Sequence, residues 1–280
     1  MGAGQEYTWT LPFARVTFDV SSATDTGLVR KVNEDSLLAV PPLFLVADGM
    51  GGHAAGDVAS QETARILLSR LPEGRPTTSA VIIESISQAN DAVRELTGDE
   101  FSGTTLSGVA LVQDDVGLSL HWMAFNVGDS RVYSWDGTTL VQVSVDHSAV
   151  QEMVDEGLIS ADEAAVHPDR NVITRAIGIG TVLNPDVWLL PAGGPQGFVI
   201  CSDGLTKELD DRAIEEVLTL ALTDQSAADR LVAAALASGG SDNISVVVLR
   251  ASVDAVAAPH AAVDESDALP AHLQETLPRI

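Results

Sequence analysis

The chain has a single cysteine, Cys201, among its 280 residues. No intrachain disulfide can form, which fits a reducing compartment and sets the expectation of a cytoplasmic protein. Basic residues are scarce: 15 Lys+Arg stand against 40 Asp+Glu, a formal net charge of −25. Lysine is nearly missing, with Lys31 and Lys207 alone. Nucleic acid and anionic membranes are held by Lys and Arg, so neither is an expected partner. No run approaches the ~20 apolar residues of a membrane helix. The first residues lack the basic-then-apolar order of a secretory signal. No Walker loop G-x-x-x-x-G-K-[ST], no G-x-S-x-G nucleophile elbow and no long repeat is found.

Apolar residues are plentiful at 45% of the chain, which separates it from acidic disordered proteins. Residues 1–14 read as an irregular lead-in. Strands are expected at 16–22, 36–40 and 43–47, the last a continuous apolar run of the kind buried on both faces. Apolar residues at three- and four-residue spacing predict helices at 58–71 and 79–97, the second capped by Ser79 and stopped by Gly98. Four strands joined by Asp- and Gly-bearing turns follow across 104–143, with 135–138 the clearest hairpin turn. A mixed insertion covers 147–180 and includes a helix at 148–156. Strands return at 187–190 and 198–201, helices at 211–222 and 226–237, and a last strand at 243–250. Tight turns between consecutive strands favour antiparallel sheets. Two helical pairs could cover the outer faces of two packed sheets, an α+β arrangement.

Three aspartates share one kind of place. Asp48 ends the apolar run 43–47, Asp203 ends the run 198–202, and Asp242 precedes the last strand. An Asp-Gly pair is commonly just a turn. Three carboxylates at the ends of apolar strands are costly to desolvate unless paired or metal-bound. Hard oxygen ligands without a Cys or paired-His pattern suit Mg²⁺ or Mn²⁺. Gly49 would let its own carbonyl face such a cation. Arg30 could hold a phosphate through two parallel hydrogen bonds.

Six segments in order carry a resemblance. They are Arg30 with Asn33-Glu34-Asp35, then Asp48-Gly49-Met50-Gly51-Gly52-His53, Ser102-Gly103-Thr104-Thr105, Asn126-Val127-Gly128-Asp129-Ser130-Arg131, Ser202-Asp203-Gly204 and Ser241-Asp242-Asn243. The set resembles the PP2C (PPM) family of metal-dependent protein serine/threonine phosphatases, in its bacterial branch. The resemblance covers about residues 15–250. It implies an α-β-β-α sandwich, a phosphatase domain at 15–251 with a flap at about 145–180, and leaves 252–280 as a disordered acidic tail.

By the same resemblance Asp48 would bridge two Mn²⁺ or Mg²⁺ ions, with the Gly49 carbonyl on one and Asp203 and Asp242 on the other. Asp129 would help to hold a third, weaker ion. Glu34 and Asp35 would orient metal-bound waters, and Arg30 would clamp the phosphate. The implied reaction is direct attack by a metal-activated water on phosphoserine or phosphothreonine, with no covalent intermediate. The implied partners are proteins phosphorylated by serine/threonine kinases, met by a monomer. Some members carry His after the Asp-Gly pair as a proton donor; here that residue is Met50, which cannot donate, and His53 is a weak substitute. A catalytically silent module of the same fold is the alternative. A cysteine phosphatase is disfavoured, since Lys207 stands where an Arg six residues after Cys201 would be needed.

Overall fold

The computed structural model describes residues 4–51, 55–98, 102–114, 119–181, 183–220 and 227–256. It is a four-layer sandwich of two antiparallel sheets with helices on both outer faces. One sheet runs in the order β1 (Gln5–Thr10), β2 (Ala14–Asp25), β12 (Ile244–Ala255), β11 (Gly194–Cys201), β8 (Arg131–Trp135), β9 (Leu140–Gln142). The other runs β10 (Asp186–Pro191), β7 (Leu120–Val127), β6 (Leu106–Gln113), β4 (Leu43–Met50), β3 (Asp35–Val40), with the two-residue β5 (Gly103–Thr104) paired to β4.

Strand side chains alternate between faces, and each face here has its own core. Ala14, Val16, Phe18 and Val20 of β2 point inward, whereas Arg15 and Asp19 are exposed. Between the sheets Phe18, Phe44, Trp122 and Phe198 form the aromatic centre. Their rings meet edge-on or tilted, Phe18 and Trp122 at 6.3 Å and Trp122 and Phe198 at 5.2 Å. Each such fully buried side chain contributes about 1.5–3 kcal/mol. Helices α1 (Ala55–Ser69) and α2 (Ser79–Thr97) close a second core through Leu67, Ile82, Ile86 and Val93 against Leu43, Leu45 and Phe125. On the opposite face α5 (Asp203–Thr206), α6 (Asp211–Leu220) and α7 (Ala227–Ser238) pack Leu205, Ile214 and Leu231 against Val199 and Val246. The short α3 (Ala149–Asp155) and α4 (Ala161–Ala165) lie in the insertion.

Several expectations are corrected. The lead-in is not irregular throughout, because β1 pairs along its whole length with β2. The strand expected at 16–22 does not end there; pairing with β12 carries β2 to Asp25, opposite Ile244. The same ladder extends β12 to Ala255, so residues 252–255 are strand rather than tail. The expected strand from 104 breaks at Thr105, whose hydroxyl is used to hold β4. The cap of α2 is Thr78, whose hydroxyl accepts from the Val81 amide at 3.3 Å, and Gly98 closes the helix with φ 60°. The tail from residue 257, and Gly52 and His53, lie outside the described residues.

Candidate metal and phosphate site

Both sheets end at one cavity of about 600 Å³. Sheet β10–β3 brings Asp48 at the end of β4. Sheet β1–β9 brings Asp203 after β11 and Asp242 before β12. Segment 171–176 of the insertion forms the facing wall, with Arg175 among its lining residues.

The local sequence explains each position. Asp48 sits in β4 because the apolar run Leu43–Ala47 anchors the strand between two cores, all five residues buried. The Asp48 backbone is then bound on both sides: its N–H donates to Thr105 Oγ1 at 2.9 Å, and its carbonyl accepts from Thr104 Oγ1 and the Thr105 N–H, each at 2.9 Å. Thr105 Oγ1 in turn meets Ser130 Oγ at 2.7 Å, which ties the turn carrying Asp129 to β4. Gly49 is required for space: a Cβ there would stand 2.2 Å from the Gly56 carbonyl and 2.5 Å from that of Glu34. The missing Cβ permits this close approach, and the strand continues through Gly49 to Met50.

The loop carrying Arg30, Glu34 and Asp35 is pinned by Asn243. The Asn243 side chain accepts from the Glu34 N–H at 2.9 Å and donates to the Thr26 and Val32 carbonyls at 2.9 and 3.0 Å. Asp35 opens β3 directly opposite Asp48 in the ladder. It also crosses to the other sheet, accepting from Ser202 Oγ at 2.9 Å. Gly204 packs so tightly below that an added Cβ would lie 1.9 Å from the Asn243 carbonyl.

The electrostatics are those of crowded carboxylates. Burial raises Asp48 well above the usual carboxylate range, and Asp35, Asp203 and Asp129 add to it. Burial, then the charges of Asp203 and Asp242, push Asp35 up to about 6 despite its serine hydrogen bonds. Burial, then Asp203 and Asp146, push Asp129 up to about 7. Asp242 goes the other way: burial raises it, but Lys207, the Asn243 amide and Arg30 outweigh that and leave it below the ordinary value. Arg30 grips Asp242 with both ends of its fork, Nε to Oδ1 at 2.8 Å and Nη2 to Oδ2 at 2.9 Å. Lys207 Nζ lies 2.6 Å from Asp203 Oδ2 and 2.8 Å from Asp242 Oδ2.

The residues fit a hard divalent cation. Asp35 Oδ1, Asp129 Oδ1 and Asp203 Oδ1 are buried without a hydrogen-bond partner, a costly state that a cation would relieve. Among the described residues no three His, Cys, Asp or Glu side chains already converge as a cage. The carboxylates surround the cavity, with Lys207 between two of them. Of the expected residues, Arg30, Glu34, Asp48, Gly49, Asp203 and Asp242 line the cavity. Asp35 and Asp129 lie behind its wall, close enough for their charges to act on Asp48. Lys207 and Arg175 line it too, outside the expected set.

The competing chemistries find no support in the geometry. Burial pushes the Cys201 thiol up to about 12, far from a nucleophile. His147 accepts from the Gly128 N–H through Nδ1 at 3.1 Å, and Ser148 caps α3, so neither serves a hydrolase triad.

Residues 30–238 match the family described as Protein phosphatase 2C. The serine/threonine protein phosphatase PstP of Mycobacterium tuberculosis is 38% identical over 243 residues, 84% of this chain and 46% of its own length. The chain thus spans about half the length of that relative. The serine/threonine phosphatase stp of Listeria monocytogenes is 34% identical over 240 residues, 81% of this chain and 93% of its own. The solved catalytic domain of a PstP in complex with 2 manganese ions superposes with a TM-score of 0.72 at 32% identity, covering 85% of this chain and 99% of that one.

Proposed function

The chain belongs to the protein phosphatase 2C family, and from that premise we propose that it is a metal-dependent protein serine/threonine phosphatase opposing kinase signalling. The observation that carries the reading is the meeting of Asp48 from one sheet with Asp203 and Asp242 from the other at a cavity that Arg30 also lines. Asp48, the Gly49 carbonyl, Asp203 and Asp242 would hold two Mn²⁺ or Mg²⁺ ions, and Asp129 a third and weaker one. Divalent cations there supply positive charge to phosphoryl oxygens and acidify a water.

The chain's own residues do the rest. Arg30 offers a planar fork of donors to two phosphoryl oxygens, the arrangement it now makes with Asp242. Asn243 holds the Glu34 backbone, the Glu34 carboxyl lies beside Gly56 at the start of α1, and it orients water beside the reacting phosphate. Asp35 steadies the Asp203 segment through Ser202. Met50 gives the leaving group no proton, so we assign its protonation to a water that Asp129 would help to hold. The insertion wall around Thr174 and Arg175 faces the substrate and acts as the flap. The expected substrates are proteins carrying phosphoserine or phosphothreonine, met by a monomer in the cytoplasm. No helix among the described residues is long and apolar enough to cross a membrane.

The test is hydrolysis of a phosphothreonine peptide with Mn²⁺ and with EDTA. Turnover with Mn²⁺, lost in EDTA and restored by adding the ion back, supports the reading. A folded protein that turns over in neither condition would be the silent module.

A further inference from the structure

The geometry points to Lys207 as a tethered cation that holds Asp203 and Asp242 together in the metal-free protein and that a divalent ion must displace to bind there. The inference rests on the metal-centre reading above, but not on turnover. Lys207 follows α5, four residues after Asp203, and its N–H donates to the Asp203 carbonyl at 2.8 Å. That single turn aims the side chain back over the carboxylate it follows. Nζ then bonds one oxygen of Asp203 at 2.6 Å and one of Asp242 at 2.8 Å. These two residues are 39 apart in sequence and meet at one end of the antiparallel β11–β12 pair, one after β11 and one before β12.

An ammonium between two carboxylates occupies the electrostatic place of a metal ion. With Arg30 also on Asp242, sharing Oδ2 with Lys207, two positive charges balance two negative ones. The acids that remain unbalanced are Asp48, which lines the cavity, and Asp35 and Asp129 behind it, the last two each with an oxygen lacking a partner. The same Lys207 is 29% exposed and lines the cavity, so its flexible stem has somewhere to go when it is expelled. Released, it adds a third cation to a wall that already carries Arg30 and Arg175. Metal occupancy would thus be set by a competition internal to the chain, and the site would stay organised when the ion leaves.

Lysine is so rare here that the inference can be read directly. The chain holds Lys31 and Lys207 and no other lysine, and Lys31 is exposed. Reductive methylation of the wild-type protein, followed by mass spectrometry, should label Lys31 in EDTA and in Mn²⁺. Lys207 should be labelled in Mn²⁺ and protected in EDTA. Calorimetric titration with Mn²⁺ gives the second readout. Lys207→Gln should bind Mn²⁺ about tenfold more tightly than wild type, because an ammonium no longer competes for the same oxygens. Its melting temperature in EDTA should fall, whereas Lys207→Arg should keep both values near wild type. Lys207 protected equally in both conditions, or Mn²⁺ affinity no tighter in Lys207→Gln, overturns the inference. Absence of Mn²⁺ binding in wild type and variant alike overturns the metal centre itself.

Discussion

Asp35 and Asp48 stand directly opposite one another across the β3–β4 ladder. Like charges in that position repel, and here both are also shielded from water on the protein side. The pair is tolerable in a strand only if protons or cations answer it. Its presence therefore ties the register of one hairpin to the chemistry at the end of the sandwich.

Removing one member should relieve the metal-free protein. Asp35→Asn keeps the acceptor for Ser202 and deletes a charge. Its melting temperature in EDTA at about pH 8 should rise by about 2–4 °C, while the rise on adding Mn²⁺ should shrink. Thermal denaturation with and without the ion checks both parts. A lower melting temperature in EDTA would show that the pair is not under electrostatic strain.

Thr105 joins β4 to the turn carrying Asp129 through one hydroxyl. Thr105→Val retains the shape and leaves the Asp48 N–H without its acceptor. The variant should lose about 1–3 kcal/mol in urea denaturation. It should also bind Mn²⁺ more weakly, because Asp48 is no longer fixed. Unchanged stability would remove Thr105 from the account.

His147 sets a pH dependence outside the carboxylate cluster. Burial lowers its pKa, Arg175 lowers it further, and Asp186 and Asp146 pull the other way without prevailing. Its Nδ1 accepts from Gly128 N–H, so a proton there would face another donor. Asp186 Oδ2 is 3.4 Å from Nε2 and Arg175 Nη1 is 3.3 Å from it. The folded pKa lies below the unfolded one, so the unfolded chain takes up the proton first as pH falls. The stability that neutral His147 contributes is present above about pH 6.5 and is lost below it. The stability difference between wild type and His147→Gln should therefore shrink from about pH 7.5 to about pH 5.5. A difference that is flat or grows on acidification would contradict the assignment.

Much of the site was legible because its residues sit at strand ends that apolar runs announce. Asp48 after Leu43–Ala47 and Asp203 after the end of β11 needed no partner to be noticed. What was hidden depends on pairing between distant segments. The register that sets Asp35 against Asp48 is a property of the hairpin, not of either residue. Lys207 acquires its role only when the fold brings Asp242, 35 residues away, to its ammonium. Arg175 lies in an insertion without strong periodicity, and its place on the wall follows from packing. Strand β1 was hidden for another reason: its Tyr7 and Trp9 are half-buried at a sheet edge, so the inward side of its alternation carries a weak apolar signal.

Asp129 and His53 separate two sources of the leaving-group proton. Asp129→Ala should lower kcat by about a hundredfold, within the range of a lost acid–base contribution, with KM little changed. His53→Ala should keep most of the activity. Steady-state kinetics on a phosphothreonine peptide checks both, and the reverse order would transfer the role to His53.

The central claim is that Asp203 acts through a divalent cation on a phosphoryl group. The most direct measurement is phosphate release from a phosphothreonine peptide across a Mn²⁺ titration, for wild type beside Asp203→Ala, with folding checked by thermal denaturation. The account predicts saturable Mn²⁺-dependent turnover in wild type and a loss of about a thousandfold or more in the variant at every concentration. Equal turnover in the two folded proteins, or turnover in wild type that persists in EDTA, would contradict it.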